Sequence, residues 1–321
     1  MALTETHTAP DTAAVVAGTQ PPRRMRISVD HRAKSRALIL FAWVALLLWA
    51  AYTVLPILWL VIAGTKTGSE LATQPAWSFG SIQNVVNAWA NVAAFNNGVI
   101  YSWIWNTVVL TVGQLALTLA VTIPAGYALG ACSFRLRKPA LAATLALILL
   151  PGGALVLPQF LEMVALGLIG TRWAVILPGS VFPLGIYLTF IFFSTTIGRD
   201  VYDAARIDGA SEWRIFARIA LPLSWPIVAL VGFFSFVRSW GEFILPYIML
   251  RSSDFPLSVG LAVLASTSPD LNPNVISNSN IGIPEVILTT IITMLPVMLV
   301  LVLAQRIVLK GSNMMGGALR G

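Results

Sequence analysis

"VYDAARIDGASEWRIFARIALPLSWP" fills residues 201–226, a crowd of charges and small residues set between two long apolar runs. What those runs are decides the fold. Of the 321 residues 57% are apolar and 10% charged, too little polar surface to cover a water-soluble globule of this size, so the chain belongs in a bilayer. A helix needs about 20 apolar residues to cross roughly 30 Å of hydrocarbon. Runs of that kind predict membrane helices near 38–62, 104–131, 139–160, 173–194, 224–249 and 284–308. Six crossings put both chain ends on one side.

The charges give the side. Residues 1–37, rich in Thr, Ala and Pro, cannot bury enough apolar area to fold alone and read as a disordered tail. The tail carries Arg23, Arg24, Arg26, Arg32, Lys34 and Arg36. With it inside, every Lys and Arg falls in a cytoplasmic segment except Lys66, Arg172 and Arg251 outside and Arg238 within a run. That asymmetry predicts two cytoplasmic termini and an uncleaved first helix. The net charge of +7 then reflects orientation rather than nucleic acid. The single Cys132 excludes an internal disulfide and a cysteine metal cluster.

The opening stretch becomes the cytoplasmic loop between helices four and five. Helix formers run from Ile197 to Ile207, Gly209 offers a break, and Ser211 is placed to cap a second helix that ends at Pro222. Trp213, Phe216 and Ala220 recur at helical spacing on one face, with Glu212, Arg214 and Arg218 pointing elsewhere. Such a segment either enters a groove on another protein or lies on the lipid headgroups. The acids Asp200, Asp203, Asp208 and Glu212, and the small residues at the turn, weigh toward the protein groove.

This loop resembles the signature loop of permease subunits of binding-protein-dependent ABC importers. Its pattern, Glu-Ala-Ala, a Gly four residues on, then Ile-x-Leu-Pro, stands here as Asp203-Ala204-Ala205, Gly209 and Ile219-Ala220-Leu221-Pro222, with Asp in place of Glu. Four further blocks in order, "WNTVVLTVGQLALTLAVTIPAGYAL" (105–129), "LPQFLEMVALGLIGTRWAVILP" (157–178), "SFVRSWGEFILP" (235–246) and "AQRIVLKGSNMMGGALRG" (304–321), resemble its carbohydrate-uptake branch. They are similar to the six-helix permease of maltose-type and glycerol-phosphate-type importers.

The resemblance implies an all-α integral membrane fold of type I importer permeases, with a six-helix domain over 38–309 and a cytoplasmic tail over 310–321. It assigns Tyr202, Asp203, Ala204, Ala205, Asp208, Gly209, Ser211, Trp213, Phe216, Leu221 and Pro222, within a loop over 198–222, to coupling with an ATPase. The implied function is import of a di- or oligosaccharide or related polyol by alternating access across the plasma membrane. The implied partners are a sister permease, two cytoplasmic ATPases that hold ATP and Mg, an extracytoplasmic binding protein and membrane lipid. The signature loop is shared with importers of other solutes, such as polyamines or peptides.

The absences agree. No Gly-x-x-x-x-Gly-Lys-Ser/Thr phosphate loop occurs, so ATP must be hydrolysed by another chain. The two histidines, His7 and His31, both lie in the tail, and no nucleophile-base arrangement or metal-ligand cluster is evident. A proton-coupled secondary transporter would need a carboxylate relay that the apolar runs do not supply.

Inside the fifth helix Arg238 and Glu242 lie four apart and share a face. An unpaired Arg at the bilayer centre costs roughly 2.5 to 3.5 kcal/mol, so both should meet protein or water. Two readings stay open: a structural pair, or a lining of the substrate path beside Trp240, whose ring could stack on a sugar. Pro151, Gly152, Gly153 and Pro158 interrupt the third helix, and Pro158 is a further pathway candidate. Outside, Ile82, Val85, Val86 and Trp89 form an apolar stripe, and residues 265–283 form a polar loop.

Overall fold

The structure, a computed structural model, describes the backbone of residues 31–275 and 280–318 and the side chains of 38–275 and 280–305. The basic tail up to residue 30, the middle of the polar 265–283 loop and residues 319–321 lie outside it. Two compact units divide the chain, residues 1–55 and 56–321. The first contains the start of α1 (His31–Ala63), a helix that begins seven residues before the expected span, and Pro56 inside that helix marks the boundary.

All elements of the second unit are helical, with no strand among the described residues. After α1 come α2 (Gly68–Thr73), α3 (Ile82–Ala94), α4 (Val99–Ala131), α5 (Arg137–Leu149), α6 (Gly152–Ala165), α7 (Trp173–Gly179) and α8 (Pro183–Thr195). Then follow α9 (Arg199–Ile207), α10 (Glu212–Ile215), a wide π-helical turn (Phe216–Ala220), α11 (Leu221–Leu223), α12 (Trp225–Trp240), α13 (Ile244–Met249), α14 (Leu257–Thr267) and α15 (Ile283–Ala318).

Leu38–Ala63, Val99–Ala131 and Ile283–Gln305 are each long and apolar enough to cross a membrane. Three more segments reach that length only as bent pairs: α5 with α6 at 109°, α7 with α8 at 41°, and α10–α11 with α12 at 78°. The expected third helix thus turns sharply at Leu150–Pro151, while Pro158 sits inside α6 without ending it. The expected fifth helix, 224–249, divides at Gly241–Phe243 into α12 and α13. The last helix runs on to Ala318, through most of the segment read as a tail.

Helix α4 is the spine, packed along α8 and α12 and meeting α7 and α14. Gly126 and Gly130, one turn apart, bring α8 against it; a Cβ on Gly126 would lie 1.9 Å from Thr189 Oγ1. Small residues at that spacing are how membrane helices gain close packing without a hydrophobic drive. Along the same helix Asn106, Thr107, Thr111, Gln114, Thr118 and Thr122 form a buried polar stripe. Several of these side chains serve backbone groups freed where neighbouring helices start or break: Thr118 donates to the Ser180 carbonyl at 3.0 Å, and Thr107 Oγ1 accepts from the Leu257 amide at 2.7 Å. In hydrocarbon such groups have no water to turn to.

At the start of α4, Ile100 and Trp103 pack with Val92 of α3, Leu257 and Leu264 of α14 and Ile281. Helix α3 accordingly buries Ala88 and Val92 in the bundle and leaves Ile82 and Val86 of its apolar stripe exposed.

Candidate coupling site and membrane cavity

At the other end of α4 the chain leaves α8 and forms the charged interlude. Helix α9 ends in a Schellman turn: the Gly209 amide bonds the Arg206 carbonyl and the Ala210 amide the Ala205 carbonyl, both at 3.0 Å. Gly209 sits at φ +76°, the left-handed region that glycine enters freely. The Ser211 hydroxyl then accepts from the Arg214 amide at 3.4 Å, the cap read from the sequence. Beyond it the backbone widens over Phe216–Ala220 and bends at Ser224, whose hydroxyl takes the Leu221 carbonyl at 2.8 Å. Leu221 and Pro222 are exposed at that bend.

Arg206 and Glu212 pin this lever to the membrane domain. Arg206 donates from Nε to Glu212 Oε1 and from Nη1 to Asp203 Oδ1, each at 2.8 Å, and from Nη2 to the Ala131 carbonyl at 3.0 Å. Glu212 also accepts from the Tyr127 hydroxyl at 3.0 Å and from Cys132 Sγ at 3.4 Å. The Arg206 guanidinium, helped by Tyr127 and Cys132, holds the Glu212 carboxyl below the usual carboxylate range. Glu212 first, and then Asp203, hold Arg206 more firmly protonated still. Burial, reinforced by Glu212, pushes the Cys132 thiol up to about 11, so it stays a protonated donor.

Below this polar clamp lies an aromatic core. Tyr127 meets Phe193, Tyr202 and Phe216 at ring-centre distances of 5.6, 6.0 and 5.1 Å, and Ile215 and Ala220 are fully buried beside them. The sequence reading is corrected at one point here. Phe216 and Ala220 face the chain's own core, because their turn points at Tyr127 on α4, so the expected exposed aromatic face reduces to Trp213, 69% exposed. Glu212, though half exposed, is held across to Tyr127, Cys132 and Arg206 instead of standing free. What remains open on the lever is Ile207, Trp213, Ala204 and the acids Asp203 and Asp208, around the unobstructed Gly209. The two-helix bracket thus presents an apolar centre ringed by charge.

A second feature lies within the bundle. A cavity of about 440 Å³ opens between the α5–α6 bend, the α7–α8 break and α12–α13, with Gln114, Gln159, Arg238 and Glu242 as its polar lining. Arg238 does not pair with Glu242: no ion pair joins them among the described residues. Its guanidinium instead caps the broken helix, donating to the carbonyls of Val181 at 3.0 Å and Gly179, and lies 5.0 Å from the Phe182 ring centre. Glu242 caps α13 by accepting from the Leu245 amide at 3.4 Å.

Trp240 is turned away from this cavity. It is buried, stacks on Phe236 at 5.4 Å, and donates Nε1 to the Thr293 carbonyl of α15 at 2.9 Å, which corrects its placement beside the path. Pro158 is exposed on α6 and does not line the cavity either. Of the four pathway candidates the structure brings together Arg238 and Glu242, and adds two residues that sequence reasoning missed, Gln114 and Gln159. Arg206 and Tyr127 were also missed. An acid three residues before Arg206 was a local signal for the first; nothing local marked Tyr127, which lies 85 residues from its partner.

The chain matches the family described as "Binding-protein-dependent transport system inner membrane component" over residues 33–312. Among curated relatives, the diacetylchitobiose uptake system permease protein of Streptomyces coelicolor is 29% identical, covering 81% of this chain and 83% of its own. The lactose transport system permease protein of Rhizobium radiobacter is 30% identical, covering 82% and 90%. An arabinooligosaccharide transport system permease protein of Halalkalibacterium halodurans is 30% identical over 68% and 75%. The fold is similar to a chain of a bacterial ABC transporter involved in import of the acidic polysaccharide alginate, with a TM-score of 0.72 and 21% identity over 85% of this chain and 97% of that one.

Proposed function

Because the chain belongs to the family of inner-membrane components of binding-protein-dependent transport systems, we propose that it is one of two unlike permeases that import a carbohydrate or related polyol. ATP and Mg are bound by two partner ATPases, a binding protein delivers the solute outside, and the pore alternates between inward and outward access. The relatives named for diacetylchitobiose, lactose and arabinooligosaccharides support the substrate class. Six crossings, with both termini cytoplasmic and α9–α11 lying outside the fifth of them, complete the reading.

The observation that carries it is the α9–α11 bracket. Arg206 and Glu212 tie it to Ala131, Cys132 and Tyr127 at the end of α4, while Ile207 and Trp213 are left uncovered. A push on the exposed face is therefore delivered to the spine of the bundle, and through α4 to the helices around the cavity. Coupling requires such an element, biased from both of its ends.

Gly209 tests it. Nothing in this chain lies within 4 Å of a Cβ built there, so the internal cost of a side chain is the left-handed backbone alone, about 1–2 kcal/mol for Val and less for Asn. Gly209→Asn should insert and assemble, yet lower substrate-stimulated ATP hydrolysis of the reconstituted complex by about tenfold, since its added bulk meets the partner. Stimulation equal to that of the parent complex would overturn the coupling assignment.

A further inference from the structure

Beside the lever, on the α4–α5 side, lie two adjoining recesses that share one wall with it. One, of about 220 Å³, is lined by Arg137, Arg199, Tyr202, Arg206 and one acid, Asp203. The other, of about 410 Å³, is lined by Arg135, Lys138, Phe134 and Leu141. Ser133 and Arg137 border both, so the two form one basic groove.

Its charges are left over. Asp203 and Glu212 are both committed to Arg206, and Arg135, Arg137, Lys138 and Arg199 make no ion pair among the described residues. Arg137 uses Nε on the Leu129 carbonyl at 2.7 Å, which fixes its stem and aims the rest of the fork. Setting orientation needs cations on the right side of the membrane; it does not need four of them gathered around a recess.

A separate observation points to a ligand. Tyr202, 2% exposed and part of the wall, has a buried hydroxyl with no hydrogen-bond partner. Buried hydroxyls without partners are uncommon, and each asks for a missing one. Burial pushes this phenol up to about 12, so it remains a donor, as the surrounding guanidinium and ammonium groups are. With Asp203 taken up by Arg206, the wall keeps a surplus of positive charge and of donors, complementary to a phosphate group, and arginine forks match phosphate oxygens two at a time.

The apolar rim selects the source. Phe134 and Leu136 are 43% and 66% exposed beside the cations, where the apolar span of α4 ends and α5 begins. We propose that this groove holds the phosphate of an anionic phospholipid, with the Tyr202 hydroxyl and Arg137 and Arg199 on the oxygens and Phe134 and Leu141 against the acyl chains. The lipid would sit between the α4–α5 loop and the first turn of α9, at the base of the lever.

The test is lipid retention by the purified full-length chain, in the assembly in which it is isolated, in phosphatidylcholine discs with phosphatidylglycerol admixed. Native mass spectrometry should show phosphatidylglycerol held by the parent and held roughly tenfold more weakly by the R135Q/K138Q/R199Q variant, with Y202F weakened about fivefold. Equal retention by parent and triple variant would overturn the proposal. So would loss of retained lipid on assembly with an ATPase, which would give the groove to a protein. A second arm adds inorganic phosphate in phosphatidylcholine alone; binding that displaces phosphatidylglycerol one for one, with no preference for the lipid, would make free phosphate the ligand and overturn the lipid assignment. Retention needs no nucleotide, so failure here leaves the transport role untouched and the reverse also holds.

Discussion

Arg206 shows how much one side chain can organise at a helix end. Its three nitrogens reach a residue of its own helix, Asp203, a residue of the next, Glu212, and the main chain of a third element at Ala131. Both acids are substantially solvent-exposed, so screening limits each charge pair to about 0.5–1 kcal/mol, and the larger effect of Arg206→Ala is geometric. Glu212 makes the clamp sensitive to acid. Its carboxyl titrates below the ordinary value near 4.3 in the folded chain, so its contribution is complete above that pH and is lost as pH falls through the lowered folded value. The melting temperature of the purified chain should therefore drop on acidification below about pH 4. Glu212→Gln should start lower and show a flatter acid limb; an unchanged slope would mean that Glu212 is not held by Arg206.

Between elements, space rather than charge decides. The approach of α4 to α8 is set by Gly126, where an added methyl would strike Thr189 and come within 3.0 Å of the Phe190 amide nitrogen. Thr189 is fully buried and cannot swing away. Gly126→Ala should cost about 1–3 kcal/mol, read as a lower midpoint in thermal or detergent unfolding. Gly232 on α12 makes the control, since a Cβ there meets nothing closer than 3.9 Å, and its replacement by Ala should leave the midpoint level or slightly raised. Equal effects at both sites would mean that the α4–α8 contact is not close.

What the sequence disclosed follows the same division. Long apolar runs, the Gly209 break, the Ser211 cap and the Pro151 interruption were legible because each is a local rule of length, dihedral angle or missing donor. The short helices α13 and α14 were not, being too brief to read as spans. Nor were the tie between Glu212 and Tyr127 and the burial of Trp240, because Tyr127 and Thr293 reach them from 85 and 53 residues away. Arg238 and Glu242, sharing a helix face, invited a pairing that the break at Gly179–Phe182 outbid with bare carbonyls.

At the scale of the molecule, α4 serves as a ruler that separates two sets of loops. Near its start Asn106 donates to the Ser253 and Phe255 carbonyls and accepts from Arg172, which also lies 3.7 Å from Asp254. Near its end stand Tyr127, Ala131 and Cys132 with the lever and the basic groove. About 25 residues of helix lie between, or roughly 37 Å, enough to hold the two sets on opposite faces of a bilayer. The first set carries few cations and the second many, which is the asymmetry that supports the proposed cytoplasmic placement of the second. In a Cys132→Ser background, Ser252→Cys should react with an impermeant maleimide in intact cells, and Gly198→Cys, which has open space around it, only after the membrane is breached. The inverted pattern would place the lever outside, beyond the reach of any cytoplasmic ATPase. Labelling of both from one side would mean that α4 does not cross at all. Either outcome would remove the physical basis for energy coupling through α9–α11, whatever the family resemblance.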